Sequence, residues 1–242
     1  MPGGRVLRII CVNLDRSTER WVSIQRQASQ LGLVVERFSA VDGSKLNPLP
    51  FPIAAGAVGC FLSHRGIWER IMQGSDEYVL VLEDDALLSS DLPAFLQDTS
   101  WIPGDADLVH IGGSDPRCSI EGFPRPAKGR KLFRSIKCTG TEGYIITKRC
   151  AAVLLKDMVY VDKEFDQVLF NGGRNDLKIY KIFPALCTQD RKNLSSTIER
   201  ISKGISKERV PMLKKIKREI GKGWKKFLYL FRLQRRVSVV FR

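Results

Sequence analysis

Apolar residues come in short unbroken runs, and between the runs they recur in helical stripes. Residues 6–12, VLRIICV, form one such run ending in Asn13-Leu14-Asp15, which predicts a buried strand opening into a loop. Ser17 can cap a following helix. Its stripe, Trp21, Ile24, Ala28 and Leu31, steps by three and four, and Gly32 stops it. Residues 33–38, LVVERF, predict a second strand, followed by the turn-like Ala40-Val41-Asp42-Gly43. The stretch 44–55 carries three prolines and reads as a loop. From Gly56 to Met72 the pattern is helical again, with Val58, Phe61, Leu62, Ile67, Trp68 and Ile71 on the buried side. Residues 78–82, YVLVL, are apolar at almost every position, as a central parallel strand requires.

The second half is less regular. Residues 107–111, DLVHI, predict a strand ending in Gly112-Gly113, and the Pro-, Gly- and Arg-rich stretch 115–130 reads as a mobile loop. Residues 143–147 predict a short strand, 151–158 a helix, and 183–188 a last short segment of the body. Strands alternating with helices indicate an α/β fold, a mainly parallel sheet with helices on both faces. In such sheets a ligand sits beyond the carboxyl ends of the strands. Three predicted strands end in Asn13-Leu14-Asp15, Glu83-Asp84-Asp85 and Gly112-Gly113, which places a site on one edge of the domain.

Charge changes this picture only at the C-terminus. The 242 residues carry a net charge of +14, and 203–242 hold fourteen Lys and Arg against two Glu, so that +12 falls there and +2 on residues 1–202. The expected division is a domain over 1–202 and a basic tail over 203–242. Such a net charge by itself would suggest nucleic acid. The body with the candidate site is nearly neutral, however, and nucleic acid is not the expected partner. In the tail Pro211 can start a helix, and Leu213, Ile216, Ile220, Trp224, Phe227 and Phe231 recur at three and four with Lys and Arg between them. A basic amphipathic helix of this kind suits an anionic membrane surface; Gly221 and Gly223 weaken it. No run approaches the roughly 18 apolar residues of a spanning helix, and the N-terminus lacks a signal-peptide pattern. The expected location is cytoplasmic, on the inner face of the cytoplasmic membrane. The six cysteines form no C-x-x-C pair and read as small buried hydrophobes.

The acidic triplet carries the chemistry. Three consecutive carboxylates after a buried strand repel one another, and a cation is the usual reason that such a cluster persists. In an extended chain Glu83 and Asp85 would face one way and Asp84 the other. Hard oxygen ligands suit Mn²⁺ or Mg²⁺, which would hold a diphosphate.

Several segments resemble glycosyltransferase family 25, the family of bacterial lipooligosaccharide galactosyltransferases and collagen galactosyltransferases. They are VNLDRSTER (12–20), FSAVDG (38–43), GAVGCFLSHRGIWERI (56–71), YVLVLEDDALL (78–88), TGTEGYIITKRCAAVLL (139–155), FDQVLF (165–170) and PALCTQD (184–190). The resemblance implies a GT-A type, Rossmann-like fold, a UDP-sugar donor and a metal-dependent, inverting transfer, with galactose as the family-level sugar. It implies Asp85 as principal metal ligand, with Glu83 or Asp84 assisting the metal or the ribose. Asn13, Arg16 and Arg20 would lie near the nucleotide, and Asp42 at the uracil or ribose. A lone helical histidine is more often structural, but in this family context Ser63 and His64 are expected at the donor site. His110, inside a strand, reads as structural. The segment Gly140-Thr141-Glu142-Gly143-Tyr144 would line the sugar or acceptor pocket, with Glu142 where the family has a small residue. Gln189 is counted with that pocket, and Gln189 and Asp190 together could complete the metal or donor site. An inverting transfer needs a general base; Asp166 is the first choice and Asp162, four residues earlier, the second. The acceptor would be a saccharide or glycolipid, such as a lipooligosaccharide core.

Two other classes compete. Another metal-dependent nucleotide enzyme could use the same acids, although no Walker-type phosphate loop is present. A non-catalytic membrane or nucleic-acid binder driven by the tail would lose its activity with residues 203–242. The collagen-modifying branch is disfavoured because a lumenal enzyme is expected to carry a signal peptide.

Overall fold

In the computed structural model the first apolar run is β1 (Arg8–Asn13), and α1 (Thr18–Gln30) follows it. Residues 6–46, 52–114, 117–171, 174, 176–190, 234–238 and 240–241 are described. After β2 (Glu36–Ser39) a single 3-10 turn, Gly43–Lys45, leads toward the long helix α2 (Ala55–Gln73). Next come β3 (Tyr78–Glu83), β4 (Ala86–Leu88), the short α3 (Leu92–Leu96) and β5 (Leu108–His110). A hairpin, β6 (Arg117–Ala127) and β7 (Arg130–Lys137), precedes β8 (Gly143–Thr147) and α4 (Lys148–Asp157). Then follow α5 (Phe165–Phe170), β9 (Ile179–Phe183), β10 (Cys187–Gln189) and β11 (Gln234–Ser238).

The main sheet runs β11-β6-β7-β9-β5-β8-β3-β1-β2. In its central six strands, β2, β1, β3, β5 and β9 share one direction and only β8 opposes them. The alternation of side chains along β3 explains why helices cover both faces. Leu80 and Leu82 enter one core with Ile24 and Ala28 of α1 and Phe95 of α3. Val79 and Val81 enter the other with Phe61, Trp68 and Ile71 of α2, Leu154 of α4 and Phe165 of α5. Each such fully buried aliphatic side chain is worth roughly 1.5–3 kcal/mol relative to exposure.

Three sequence expectations need correction. The second strand begins at Glu36, where pairing with β1 starts at Ile10, and Val34 is 89% exposed. The stretch 115–130 is not a mobile loop from residue 117 onward but β6 and the turn into β7. That turn holds Lys128 at φ 46 and Gly129 at φ 80, two successive left-handed residues of the kind that closes a tight hairpin. The segment expected at 183–188 divides between β9, which starts earlier, and β10. Lys181 stands in the middle of β9; its ammonium is buried and donates to Gly112 O and His110 Nδ1.

The amphipathic tail helix expected after Pro211 lies outside the described residues. The end of the same stretch, β11, pairs antiparallel with β6, with Arg236 opposite Ser119. No helix among the described residues is long and apolar enough to cross a membrane.

Candidate active site

The carboxyl ends of the parallel neighbours β1 and β3 open onto a cavity of about 570 Å³. Its other walls are the loop from Ala40 to Ser44 and the first turns of α2. Loop and helix approach closely because both carry glycine. A Cβ on Gly43 would lie 1.9 Å from Ala55 O, and one on Gly59 2.6 Å from Val41 O. Ser63 fastens the two: its hydroxyl donates to Gly59 O at 2.6 Å and accepts from Val41 N–H at 2.9 Å.

All three residues of the acidic triplet line this cavity, in different states. The chain does not stay extended through them. β3 ends at Glu83, Asp84-Asp85 form a turn, and β4 begins at Ala86, so simple alternation does not sort the side chains. Asp84 is engaged: Oδ1 accepts from Arg20 Nη1 at 2.9 Å and Oδ2 from Asn13 Nδ2 at 2.7 Å. Glu83 accepts from the Thr141 hydroxyl. Asp85 Oδ1 is buried and has no hydrogen-bond partner among the described residues.

Burial raises the Glu83 carboxyl to about 7, with the charges of Glu142 and Asp84 adding to it against the Thr141 hydrogen bond. Burial and the neighbouring Glu83 raise Asp85 to about 7, although Arg20, 3.9 Å away, opposes this. Two crowded carboxyls, one with an unmatched buried oxygen, are hard donors that fit a divalent cation. A second donor group shares Glu83: one atom each of Cys60, His64 and Glu83 lie within 4.8 Å of one another.

Of the residues expected at the donor, Arg16, Arg20, Asp42, Ser63 and His64 line the cavity. Arg16 pairs with Asp42, whose carboxylate also accepts from the Ser44 N–H and hydroxyl and so caps the 3-10 turn. Asn13 is 1% exposed and fully used, donating to Ser17 O and Asp84 and accepting from Arg37 Nε. It braces Asp84. His64 is fully buried, which lowers its pKa to about 3 and keeps the ring neutral.

The segment 140–144 lies behind the wall and does not line the cavity. Tyr144 and Glu142 are each 0% exposed. Glu142 Oε1 accepts from Ser114 N–H, and Oε2 has no hydrogen-bond partner among the described residues. Thr141 reaches the site only through Glu83. Gln189 does line the cavity, carried there by the pairing of β10 with β4 that sets it opposite Ala86.

Asp166, in the first turn of α5, is half-buried; its Oδ2 accepts from Gly140 N–H at 3.0 Å. Burial raises its pKa, and its charge reaches Glu83 and Cys60. Asp162 is exposed and precedes α5, so the two acids do not share a helix. His110 is buried and bonded to Gly140 O, in keeping with its structural reading. Arg37 and Cys60 were not singled out from sequence. Arg37 bonds Asn13 and Asp15 and lies 6.0 Å over the Trp21 ring. Cys60 is part of the cavity wall, and its thiol is raised well above its ordinary value by burial.

A carboxylate triplet at the end of β3, lining a cavity beside the end of its parallel neighbour β1, defines an α/β protein with a site at one edge of its sheet. Residues 7–103 match the family model of glycosyltransferase family 25 (LPS biosynthesis protein). The chain is 32% identical over 197 residues to a glycosyltransferase 25 family member of Anopheles gambiae, covering 69% of this chain and 32% of that protein. It is 27% identical over 204 residues to the lacto-N-neotetraose biosynthesis glycosyltransferase LgtE of Neisseria meningitidis, covering 74% of this chain and 72% of LgtE. It is 26% identical over 176 residues to the lipooligosaccharide biosynthesis protein lex-1 of Haemophilus influenzae, covering 65% and 56%. Over residues 7–103 the chain is thus similar to glycosyltransferase family 25, and several of its relatives are named as members of that family. It spans about a third of the length of the insect relatives and most of the length of LgtE.

Proposed function

We propose that this chain transfers a sugar from a UDP-sugar to a saccharide acceptor, with inversion, on a GT-A type domain. The observation that carries the reading is the cavity at the ends of β1 and β3, which Glu83 and Asp85 line together with Arg16 and Arg20. That is the charge pattern a nucleotide diphosphate with a divalent cation requires. Glu83 and Asp85 are the residues that would hold Mn²⁺ or Mg²⁺. When bound, such an ion would stabilise the charge that develops on the departing diphosphate. Arg20, kept in place by Asp84, presents its guanidinium beside Asp85 toward the same oxygens. Arg16 and Asp42, paired on the cavity lining, suit the ribose or base. Asp166 is the proposed base. Its raised pKa favours accepting the proton of an acceptor hydroxyl, and the Gly140 N–H orients it.

The name of the lex-1 relative favours a lipooligosaccharide acceptor. A procollagen galactosyltransferase of Danio rerio, 29% identical over 235 residues, favours galactose as the sugar. The basic stretch in 203–242 would hold the enzyme at the inner face of an anionic membrane, where a glycolipid acceptor is concentrated.

The test is UDP release from a panel of UDP-sugars, with and without Mn²⁺, by the full chain and by Asp85→Ala. Metal-dependent release from one donor, lost in the variant, is the expected result. Equal release by Asp85→Ala, or none with any donor and acceptor, rejects the assignment.

A further inference from the structure

Behind His64, a residue of the cavity wall, stand Trp68 and Tyr144. His64 and Trp68, one turn apart on α2, face Tyr144 on β8, and each is 0% exposed. Tyr144 Oη lies 2.8 Å from His64 Nδ1 and 3.4 Å from Trp68 Nε1. Phe165 stacks on the His64 ring at 4.7 Å and 27°, which fixes the ring plane.

The direction of these bonds follows from what each group can do. An indole N–H only donates, so Tyr144 Oη accepts from Trp68. The phenol hydrogen then requires an acceptor, and His64 Nδ1 is the one it meets. If Nδ1 accepts, the hydrogen of the neutral ring resides on Nε2. The opposite tautomer would leave both the phenol O–H and the Nε2 lone pair unmatched in a buried place, whereas this one leaves only the Nε2 N–H.

That N–H has no hydrogen-bond partner among the described residues. Glu83 Oε1 is 3.9 Å away, too far for a hydrogen bond, and already accepts from Thr141. His64 nevertheless lines the cavity. The ring thus has Nδ1 bonded and, on a residue of the cavity wall, a buried Nε2 N–H that lacks an acceptor.

We propose that Trp68 and Tyr144 hold His64 as the neutral ring with its hydrogen on Nε2, an N–H donor for an oxygen of the nucleotide-sugar. Tyr144 is thereby a positioning residue that acts through His64. The donor role rests on the nucleotide-sugar reading of the cavity; the tautomer does not. With the hydrogen on Nε2, His64 has no lone pair to offer a metal there, and the Cys60, His64 and Glu83 group is not a ligand set.

The chain has two histidines, so ¹⁵N imidazole spectra are simple to assign once His64→Gln removes one set. His110 serves as the internal reference. Its Nε2 faces Gly140 O at 2.9 Å and its Nδ1 accepts from Gly112 N–H at 3.1 Å, which fixes the same tautomer. The ligand-free full chain is expected to show pyrrole-like Nε2 and pyridine-like Nδ1 for both residues. A pyrrole-like Nδ1 for His64 overturns the proposal. With UDP and Mn²⁺ added, the His64 Nε2–H signal shifts while that of His110 stays. UDP binding seen by calorimetry without a His64 shift overturns the donor role. No UDP binding overturns the nucleotide-sugar reading and the donor role with it, while the relay stands on the ligand-free spectrum.

Tyr144→Phe is expected to mix the His64 tautomers and weaken UDP binding on the order of tenfold, the effect of one hydrogen bond to a charged group. If that variant does not fold, His64→Ala and His64→Gln decide. Alanine is expected to weaken UDP about tenfold, and glutamine, which keeps an N–H, less. Equal weakening overturns the donor role.

Discussion

Arg20 Nη1 sits 2.9 Å from Asp84 Oδ1, and the two side chains are only 12% and 10% exposed. Asn13 holds the other Asp84 oxygen, so the middle acid of the triplet serves as an anchor for Arg20. Removing one member of a buried ion pair leaves the other charge unmatched. Arg20→Met is therefore expected to cost about 3 kcal/mol of stability, by analogy with other buried pairs. The double variant Arg20→Met/Asp84→Asn should cost less than the two single changes together. Urea denaturation of the four proteins measures this. Strict additivity would mean that the two residues do not depend on each other.

The two remaining acids make stability depend on pH in an unusual direction. Glu83 and Asp85 keep their protons in the fold up to about 7. In the unfolded chain they lose them near pH 4. Between these values the folded state binds more protons, so stability falls as pH rises through the window. The Tm of the metal-free protein should thus drop by several degrees from about pH 5 to about pH 7.5 on account of these groups. Mn²⁺ should oppose the drop, because a cation favours the ionised pair. Thermal melts across pH, with and without the ion, check both statements. A Tm that Mn²⁺ leaves unchanged at the upper pH counts against a cation site.

Glu142 occupies space that two glycines leave open. A Cβ on Gly112 would come within 2.2 Å of Glu142 Oε1, and one on Gly140 within 2.3 Å of Oε2. Gly112→Ala is expected to destabilise the fold by about 1–3 kcal/mol through this overlap. Adding Glu142→Ala should recover most of that loss. Chemical denaturation of the single and double variants decides the point, and a loss that persists in the double variant would place the clash elsewhere.

Asp166→Asn should lower kcat by about 10²–10⁴ while UDP affinity stays near that of the unaltered chain, as expected for a base that acts on the acceptor. Asp162→Asn, at an exposed position ahead of α5, should not show that loss. Steady-state kinetics with the donor found above, paired with UDP titration, separates the two effects. An Asp166→Asn enzyme with unchanged kcat excludes it as the base.

The strands around the site were legible because their patterns are local. The runs at 6–12 and 78–82 became β1 and β3, and Glu83-Asp84-Asp85 falls at a strand end because the apolar run stops there. The hairpin β6–β7 and strand β9 were not legible. Their polar residues are satisfied by partners far along the chain: Arg134 reaches Leu177 O, and Lys181 reaches Gly112 O. Tyr144 was expected in a pocket wall because its neighbours in sequence, Gly140 to Glu142, resemble a substrate loop. Strand alternation instead directs Tyr144 into the core shared with α2 and α5.

The sequence by itself determined the α/β class, the order of the elements around the acidic triplet, and the residue types from which a cation and a diphosphate could be held. These rest on periodicity and on residues adjacent in the chain, which local sterics and hydrophobicity suffice to fix. Only the tertiary structure decided which of those residues are free to act. Asp84 is taken by Arg20, 64 residues away, and by Asn13, 71 residues away. His64 takes its hydrogen-bonding role from Tyr144, 80 residues away. Hydrogen bonds saturate, so the availability of a side chain depends on which partners the packed chain brings within about 3 Å.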